Sequence, residues 1–375
     1  MSEASSLLEH WCEQVRQCAR RGQKLGLYGS GSKDFWGPAP VRDACLSTHA
    51  YAGIVSHEAS ELVLTARAGT PLREIEALLA QHGQHLAFEP PHFGPQATLG
   101  GAIAAGLSGP ARASAGAVRD YILGVQCING RGELLQFGGQ VMKNVAGYDV
   151  SRLMAGSWGT LGLITEVSLK VLPIAPGQAT LRAHGLQPTQ ALDLLKRWGT
   201  QPLPLHASCW LPQPHSQLFV RLCGARAAVD AAQDILSRDI RLAGGQSEAL
   251  EAHAAAEHWE ACREQTLDFF APPDDTSCLW RLSLPPTTAA LDLPEATLIE
   301  WHGGQRWLWA GAEQARRLIE GAEKAGGHAS VFRSGRERAS RGLGSRPSAG
   351  VLRISRELQK QFDPHGVFNT GRLGF

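Results

Sequence analysis

Apolar residues recur at helical spacing over residues 5–21, where Leu7, Leu8, Trp11, Val15 and Cys18 fall on one face. That spacing predicts an amphipathic helix. The period then shortens. Lys24–Tyr28 reads as a short buried strand running straight into Gly29-Ser30-Gly31-Ser32-Lys33, and Glu61–Ala66 reads as a second strand leading to Gly69-Thr70-Pro71. Pro71 suits the start of a helix, here expected to run through Leu79.

The alternation continues. Ile122–Ile128 is a strand, Asn129-Gly130 with Gly132 supplies turn chemistry, and Glu133–Phe137 returns as a hairpin partner. Leu163–Leu172 is a further strand, and Pro173 with Pro176-Gly177 behind it marks a domain boundary. Over 178–330 the strand-like runs Ala207–Leu211 and Leu218–Cys223 alternate with the helical runs Ala225–Leu236 and Ala249–Glu264. Leu298–His302 and Gln305–Trp309 flank Gly303-Gly304 and predict a hairpin with a Gly-Gly turn. Gly350–Phe375 reads as one helix and an ordered tail. The expectation is a two-domain α+β chain, divided as 1–176, a smaller domain over 177–349, and a C-terminal segment over 350–375.

Composition narrows the function. Hydrophobic residues make up 43% and charged residues 19% of 375, with a formal net charge of +1. That is a foldable globular composition with no global attraction to nucleic acid or an anionic membrane. The start of the chain lacks the basic, apolar and small-residue pattern of a leader peptide, and no apolar run approaches the roughly 20 residues that span a bilayer. The expected location is cytoplasmic, peripheral to the membrane at most through partners. Eight cysteines stand at 12, 18, 45, 127, 209, 223, 262 and 278 with no Cys-x-x-Cys pair. They read as reduced, mostly buried thiols, and the chain alone is not expected to hold an iron–sulfur cluster.

The chemistry concentrates in glycine-marked segments. Gly29-Ser30-Gly31-Ser32 after a strand can form a concave run of backbone N–H groups suited to phosphate oxygens, or simply a turn. A third glycine for Gly-x-Gly-x-x-Gly is missing, and so is a Gly-Lys-Ser/Thr sequence, which disfavours the Rossmann and Walker alternatives. Thr98-Leu99-Gly100-Gly101 followed by Ala102–Gly106 reads as a capped helix whose small residues serve either a diphosphate or close packing. Gly116–Asp120 and Gly159–Ile164 follow in order.

Together these segments resemble the FAD-binding domain of the vanillyl-alcohol-oxidase/PCMH flavoprotein family. The likeness covers roughly 20–175 and the tail Phe362-Asp363-Pro364 through Asn369-Thr370-Gly371. It implies a PCMH-type FAD-binding domain of two α/β subdomains with a reduced α+β cap. It also implies cofactor contacts at Gly29, Ser30, Gly31, Ser32, Lys33, Thr98, Leu99, Gly100, Gly101, Ala104, Gly116, Arg119, Asp120, Gly159, Gly162, Ile164 and Asn369. Lys143–Leu153 resembles the 2-hydroxyacid dehydrogenase branch, and the whole chain resembles the smaller FAD-binding subunits of bacterial glycolate oxidases.

The departures shape the functional expectation. Covalent members often carry a His near the first loop, where this chain has Ser32 and Lys33, so the resemblance implies non-covalent FAD. The His-rich stretch of larger cap domains is absent from 178–349, and His253 and His258 are five apart, off one helical face, so no metal site is expected. The implied role is an FAD-bearing subunit supporting glycolate oxidation to glyoxylate. A larger FAD-binding catalytic subunit and an iron–sulfur subunit are the implied partners, and no residue of this chain is assigned to catalysis. The alternatives are a self-sufficient FAD-dependent 2-hydroxyacid dehydrogenase and a structural subunit with a vestigial flavin fold. Lys143 is read either near the flavin or paired with Asp149. His82 and His85 suit a helix end. Trp158 stands where relatives often have Glu, and the ten tryptophans are expected mainly in cores.

Overall fold

The computed structural model describes residues 3–139, 149–212, 214, 216–335 and 342–374. The chain divides into two compact units. The first takes residues 1–107, 117–173 and 346–375, and the second takes 108–116 and 174–345.

In the first unit the expected amphipathic helix spans Glu3–Arg21. Its apolar face packs Trp11, Val15 and Cys18 against Leu25, Leu46, Tyr51, Val367 and Phe368. Leu25–Tyr28 pairs in parallel with Ala44–Ser47. The C-terminal tail lies on the other side of Leu25, whose N–H donates to Val367 O at 2.7 Å. Residues from the two ends of the chain therefore share one core, and neither layer closes without the other.

An antiparallel five-stranded sheet supplies the rest of this unit. Its order is Ile54–Glu58, Val63–Arg67, Leu163–Lys170, Ile122–Ile128 and Leu134–Gly138. The expected hairpin forms because Asn129 Oδ1 accepts from the N–H groups of Arg131 (2.9 Å) and Glu133 (3.0 Å), closing the turn from its own side chain. The helix over Leu72–Gln81 starts after Pro71, as its sequence suggests. His82 caps that helix at its end, and its ring meets His57 edge-on.

The second unit is built on one antiparallel sheet of eight strands. The order is Gln246–Ala249, Gly177–His184, Gln217–Gly224, Leu205–Leu211, Leu298–Glu300, Gln305–Ala310, Cys278–Ser283 and His328–Arg333. One core joins Trp198, Trp210, Leu222, Leu236 and Ile240. A second joins Trp280, Leu282, Leu308, Leu318 and Ala322. Seven of the ten tryptophans are buried, among them Trp198, Trp210 and Trp280, so packing absorbs most of them. Helix Arg226–Leu242 runs beyond the expected end at Leu236; Ile240 continues its buried face, and Asp239 is held by Trp198 Nε1 (3.0 Å) and Arg197 (2.9 Å).

The hairpin near residue 300 departs from expectation. Glu300 pairs with Gln305, so the loop holds Trp301–Gly304 rather than Gly303-Gly304 alone. Trp301 and His302 both adopt left-handed backbone, at φ 55° and 56°. Two consecutive non-glycine residues there are strained. The strain is held by specific bonds: Trp301 Nε1 donates to Gly109 O (3.0 Å), and Ser208 Oγ accepts the His302 N–H (2.9 Å) while meeting its Nδ1 (3.0 Å). Ser114 Oγ meets His302 Nε2 at 3.0 Å. These bonds also tie the 108–116 segment into this unit.

Two expected outcomes follow from this turn. Ser208→Ala leaves the partly buried His302 N–H without its acceptor and should cost about 1–3 kcal/mol, read as a lower urea midpoint for the second unit with an unchanged slope. Burial also holds the His302 imidazole down, at about 4. The unfolded chain binds that proton near 6.5, so the His302 contribution is complete above that value. It falls away as pH drops toward 4, where it levels off. His302→Asn, which tolerates left-handed backbone, should flatten that pH dependence in a thermal-shift series; an unchanged profile would sink the assignment.

Candidate functional site

Three of the four glycine-marked segments meet the C-terminal tail in the first unit. The loop after strand Leu25–Tyr28 lies directly on the cap of helix Leu99–Ala105, so closely that a Cβ added at Gly29 would land on Thr98 Oγ1. Only glycine permits that approach. Thr98 is buried, and its hydroxyl caps the helix by accepting from Gly101 N at 3.3 Å.

The hydrogen-bond inventory separates the two segments. Leu99 N donates to Thr70 O (2.9 Å) and Gly100 N donates to Ala68 O (2.8 Å). With Gly101 on Thr98, the first turn of this helix is satisfied by the protein itself. Gly100 is also packed against Ala68, which a Cβ would approach to 2.7 Å. The packing alternative thus accounts for Gly100. The backbone N–H groups of Gly29, Ser30, Gly31 and Ser32, in contrast, find no acceptor among the described residues. Four consecutive donors without an acceptor among the described residues, on a half-exposed turn, are an arrangement that can receive the oxygens of an anion.

The neighbouring residues fix this loop. Lys33 is buried, and its ammonium donates to His92 O (3.1 Å) and Ser32 Oγ (3.3 Å) and lies 5.6 Å from the centre of the Phe93 ring. Gly159 sits at φ 73°, where a Cβ would come within 2.6 Å of Asn369 Nδ2. Asn369 is buried and clamps three segments: its Oδ1 accepts from Leu27 N (2.7 Å), its Nδ2 donates to Trp158 O (2.8 Å), and its own N–H donates to Leu25 O (3.1 Å). Trp158 N donates to Ala104 O at 2.9 Å, which joins the helix to the same cluster.

The structure thus brings together Gly29–Lys33, Thr98–Gly101, Ala104, Gly159 and Asn369. Gly162 and Ile164 lie at the lead-in to strand Leu163–Lys170; Gly162 packs on Ile128 O, and Ile164 pairs with Cys127. Arg119 and Asp120 are exposed on the short turn Val118–Tyr121, where Asp120 accepts from Ala117 N at 2.8 Å. Gly116 belongs to the second unit. Lys143 and most of its motif lie outside the described residues, and Asp149 pairs with Arg152 at 2.7 Å.

Two residues of the cluster were missed in the sequence. Trp36 stacks on Trp158 with ring centres 4.1 Å apart and planes 7° from parallel. Arg372 is buried, donates to Lys33 O and Pro38 O (both 3.2 Å), and lies 5.2 Å from the Trp158 ring centre. An Arg three residues beyond Asn369 gives only a weak signal in sequence, because Arg is normally an exposed residue.

Comparisons with known proteins agree on the fold and the relatives. Residues 8–138 match the FAD binding domain family. The glycolate oxidase subunit GlcE of Escherichia coli (strain K12) is 43% identical over 364 residues, covering 96% of this chain and 95% of that protein. The D-lactate dehydrogenase of Archaeoglobus fulgidus is 30% identical over 172 residues, covering 46% of this chain and 37% of its own length. In three dimensions, 4-ethylphenol oxidase from Gulosibacter chungangensis shares the fold at TM-score 0.69 and 12% identity, over 98% of this chain and 87% of that one.

Proposed function

The chain belongs to the family of the Escherichia coli glycolate oxidase subunit GlcE, among FAD-binding-domain flavoproteins, and on that basis we propose that it is the FAD-bearing subunit of a 2-hydroxyacid oxidoreductase acting on glycolate. The observation that carries the reading is the run of four N–H groups at Gly29–Ser32 without an acceptor among the described residues, set against Thr98 and following a strand that Asn369 holds at Leu27. A nucleotide diphosphate is the ligand whose oxygens such a run fits.

Bound FAD supplies the two-electron acceptor for oxidation of a 2-hydroxyacid to its 2-oxoacid. The chain's own residues hold and orient it. Gly29–Ser32 would donate to the diphosphate, and buried Lys33, fixed by His92 O, would supply a positive charge at the same loop. Thr98–Gly101 and Ala104 form the wall behind the loop. Gly159, Gly162, Ile164, Asn369, Gly116, Arg119 and Asp120 would complete the set implied by the family likeness. Residues 1–176 with 350–375 form the flavin-binding body in this reading, and 177–349 form a reduced cap.

The flavin is held non-covalently, since Ser32 and Lys33 occupy the loop position where covalent members place His. Acid precipitation of the purified protein should therefore release all yellow colour into the supernatant; flavin retained in the pellet would overturn this. The partners are a larger FAD-binding catalytic subunit and an iron–sulfur subunit. Among the described residues no helix is long and apolar enough to cross a membrane. Any membrane association in this reading runs through those partners.

One experiment tests the whole reading. The chain purified alone should show a stoichiometric flavin absorption band, and anaerobic glycolate should leave it oxidised until the larger subunit is added. Bleaching by glycolate in the isolated chain would make it a self-sufficient dehydrogenase. A colourless protein under FAD-replete conditions would overturn the flavin role.

A further inference from the structure

Sequence spacing among histidines points to no metal site, yet the second unit brings two cysteines and a histidine together. Cys209 on strand Leu205–Leu211, and His258 and Cys262 on helix Ala252–Glu264, bring Sγ, imidazole nitrogen and Sγ within 4.8 Å of one another. Cys262 Sγ stands 3.5 Å from His258 Nε2. Cys209 and Cys262 are buried, and His258 is half-buried at the edge of the group.

The supports are rigid. His258 and Cys262 are one helical turn apart, on one face. The His258 ring stacks on Phe219 with centres 3.7 Å apart and planes 17° from parallel. Phe219 is the strand partner of Cys209, so the sheet sets the distance between helix and thiol. The next residue, Trp259, pins the helix to the sheet by donating Nε1 to Thr180 Oγ1 at 2.9 Å.

The donor set is selective. Two thiolates and an imidazole are soft to borderline ligands that favour zinc over magnesium or calcium. Two thiolates, one neutral imidazole and Zn(II) carry no net charge, which suits a buried site. Zinc binding would displace the two thiol protons, while a neutral imidazole offers its ring nitrogen without losing one. Three protein ligands leave a fourth tetrahedral position, and half-buried His258 marks the side from which an ion or water reaches it.

The geometry points to a Zn(II) site formed by Cys209, His258 and Cys262 in the second unit. It rests on none of the flavin assignments. The test uses the full flavin-loaded chain equilibrated with zinc and analysed by native mass spectrometry. The expected result is one zinc per chain, with a mass showing displacement of two thiol protons. Cys262→Ser and His258→Gln should each lose the ion while keeping flavin content and far-ultraviolet circular dichroism. Should either variant fail to fold, the wild-type protein still decides the matter. Zinc should protect two of its eight cysteines from alkylation, and peptide mapping should identify them as 209 and 262. No stoichiometric zinc, zinc retained by both variants, protection of a different pair, or a Cys209–Cys262 disulfide in the purified protein would each overturn the site.

Discussion

Gly29→Val is expected to yield a folded protein that has lost its flavin. The added Cβ would land on Thr98 Oγ1 and would also sit 3.2 Å from Thr98 Cβ and 3.3 Å from its Cγ2. Thr98 cannot yield, because it is buried and its hydroxyl caps the helix through Gly101 N. The loop must therefore retreat, and the four donors of Gly29–Ser32 no longer converge. A loss of about 3 kcal/mol in FAD affinity, roughly 100-fold, is the expected scale. The flavin-to-protein absorbance ratio after purification, with an FAD titration of the apoprotein, measures it. Ser30→Ala is the control: Ser30 is exposed, and its backbone donor survives the change. A Gly29→Val protein that purifies with full flavin would remove this loop from the cofactor site.

Asn369→Ala should unlock the C-terminal tail and destabilise the first unit. The substitution strips the acceptor from Leu27 N and the donor from Trp158 O, both partly buried, at the buried Asn369. Each orphaned group costs about 1–3 kcal/mol. The pair should therefore cost about 2–4 kcal/mol, allowing for partial rescue by water, and lower the melting temperature by roughly 5–15 °C. Asn369 also holds left-handed backbone at φ 39°, which asparagine tolerates better than alanine. Because the same side chain spans the strand before the loop and the segment around Gly159, flavin content should fall along with stability. A melting temperature within a degree of wild type would show that the clamp is not what joins the tail to the site. Added FAD should recover part of the loss, since a ligand that binds the native state stabilises it by mass action.

Much of the fold was legible because its signals are local. The helix over Glu3–Arg21 shows a clean apolar period, and the 122–138 hairpin shows an Asn that closes its own turn. Thr98 announced a helix cap. The family likeness rested on glycines whose spacing survives in sequence. Other features had no local signature. Nothing in Ser108–Gly116 indicated that it packs in the second unit, because the bond that secures it runs from Trp301, far along the chain. The turn at Trp301-His302 looked like a Gly-Gly hairpin, since two left-handed bulky residues are unfavourable until Ser208 and Gly109 hold them.

The sequence by itself determined where the chain can bend and approach closely: glycine at 29, 100 and 159, a capping threonine at 98, an asparagine at 369. Backbone freedom and capping chemistry belong to the residue and need no neighbours. Which of the resulting donors remain available was decided only by tertiary structure. Thr70 and Ala68 take the N–H groups of Leu99 and Gly100, while those of Gly29–Ser32 keep no protein acceptor among the described residues. The same is true of Cys209, His258 and Cys262, which converge because a helix packs across a sheet. A hydrogen bond or a ligand set depends on which distant segment lies opposite, and only packing brings that segment there.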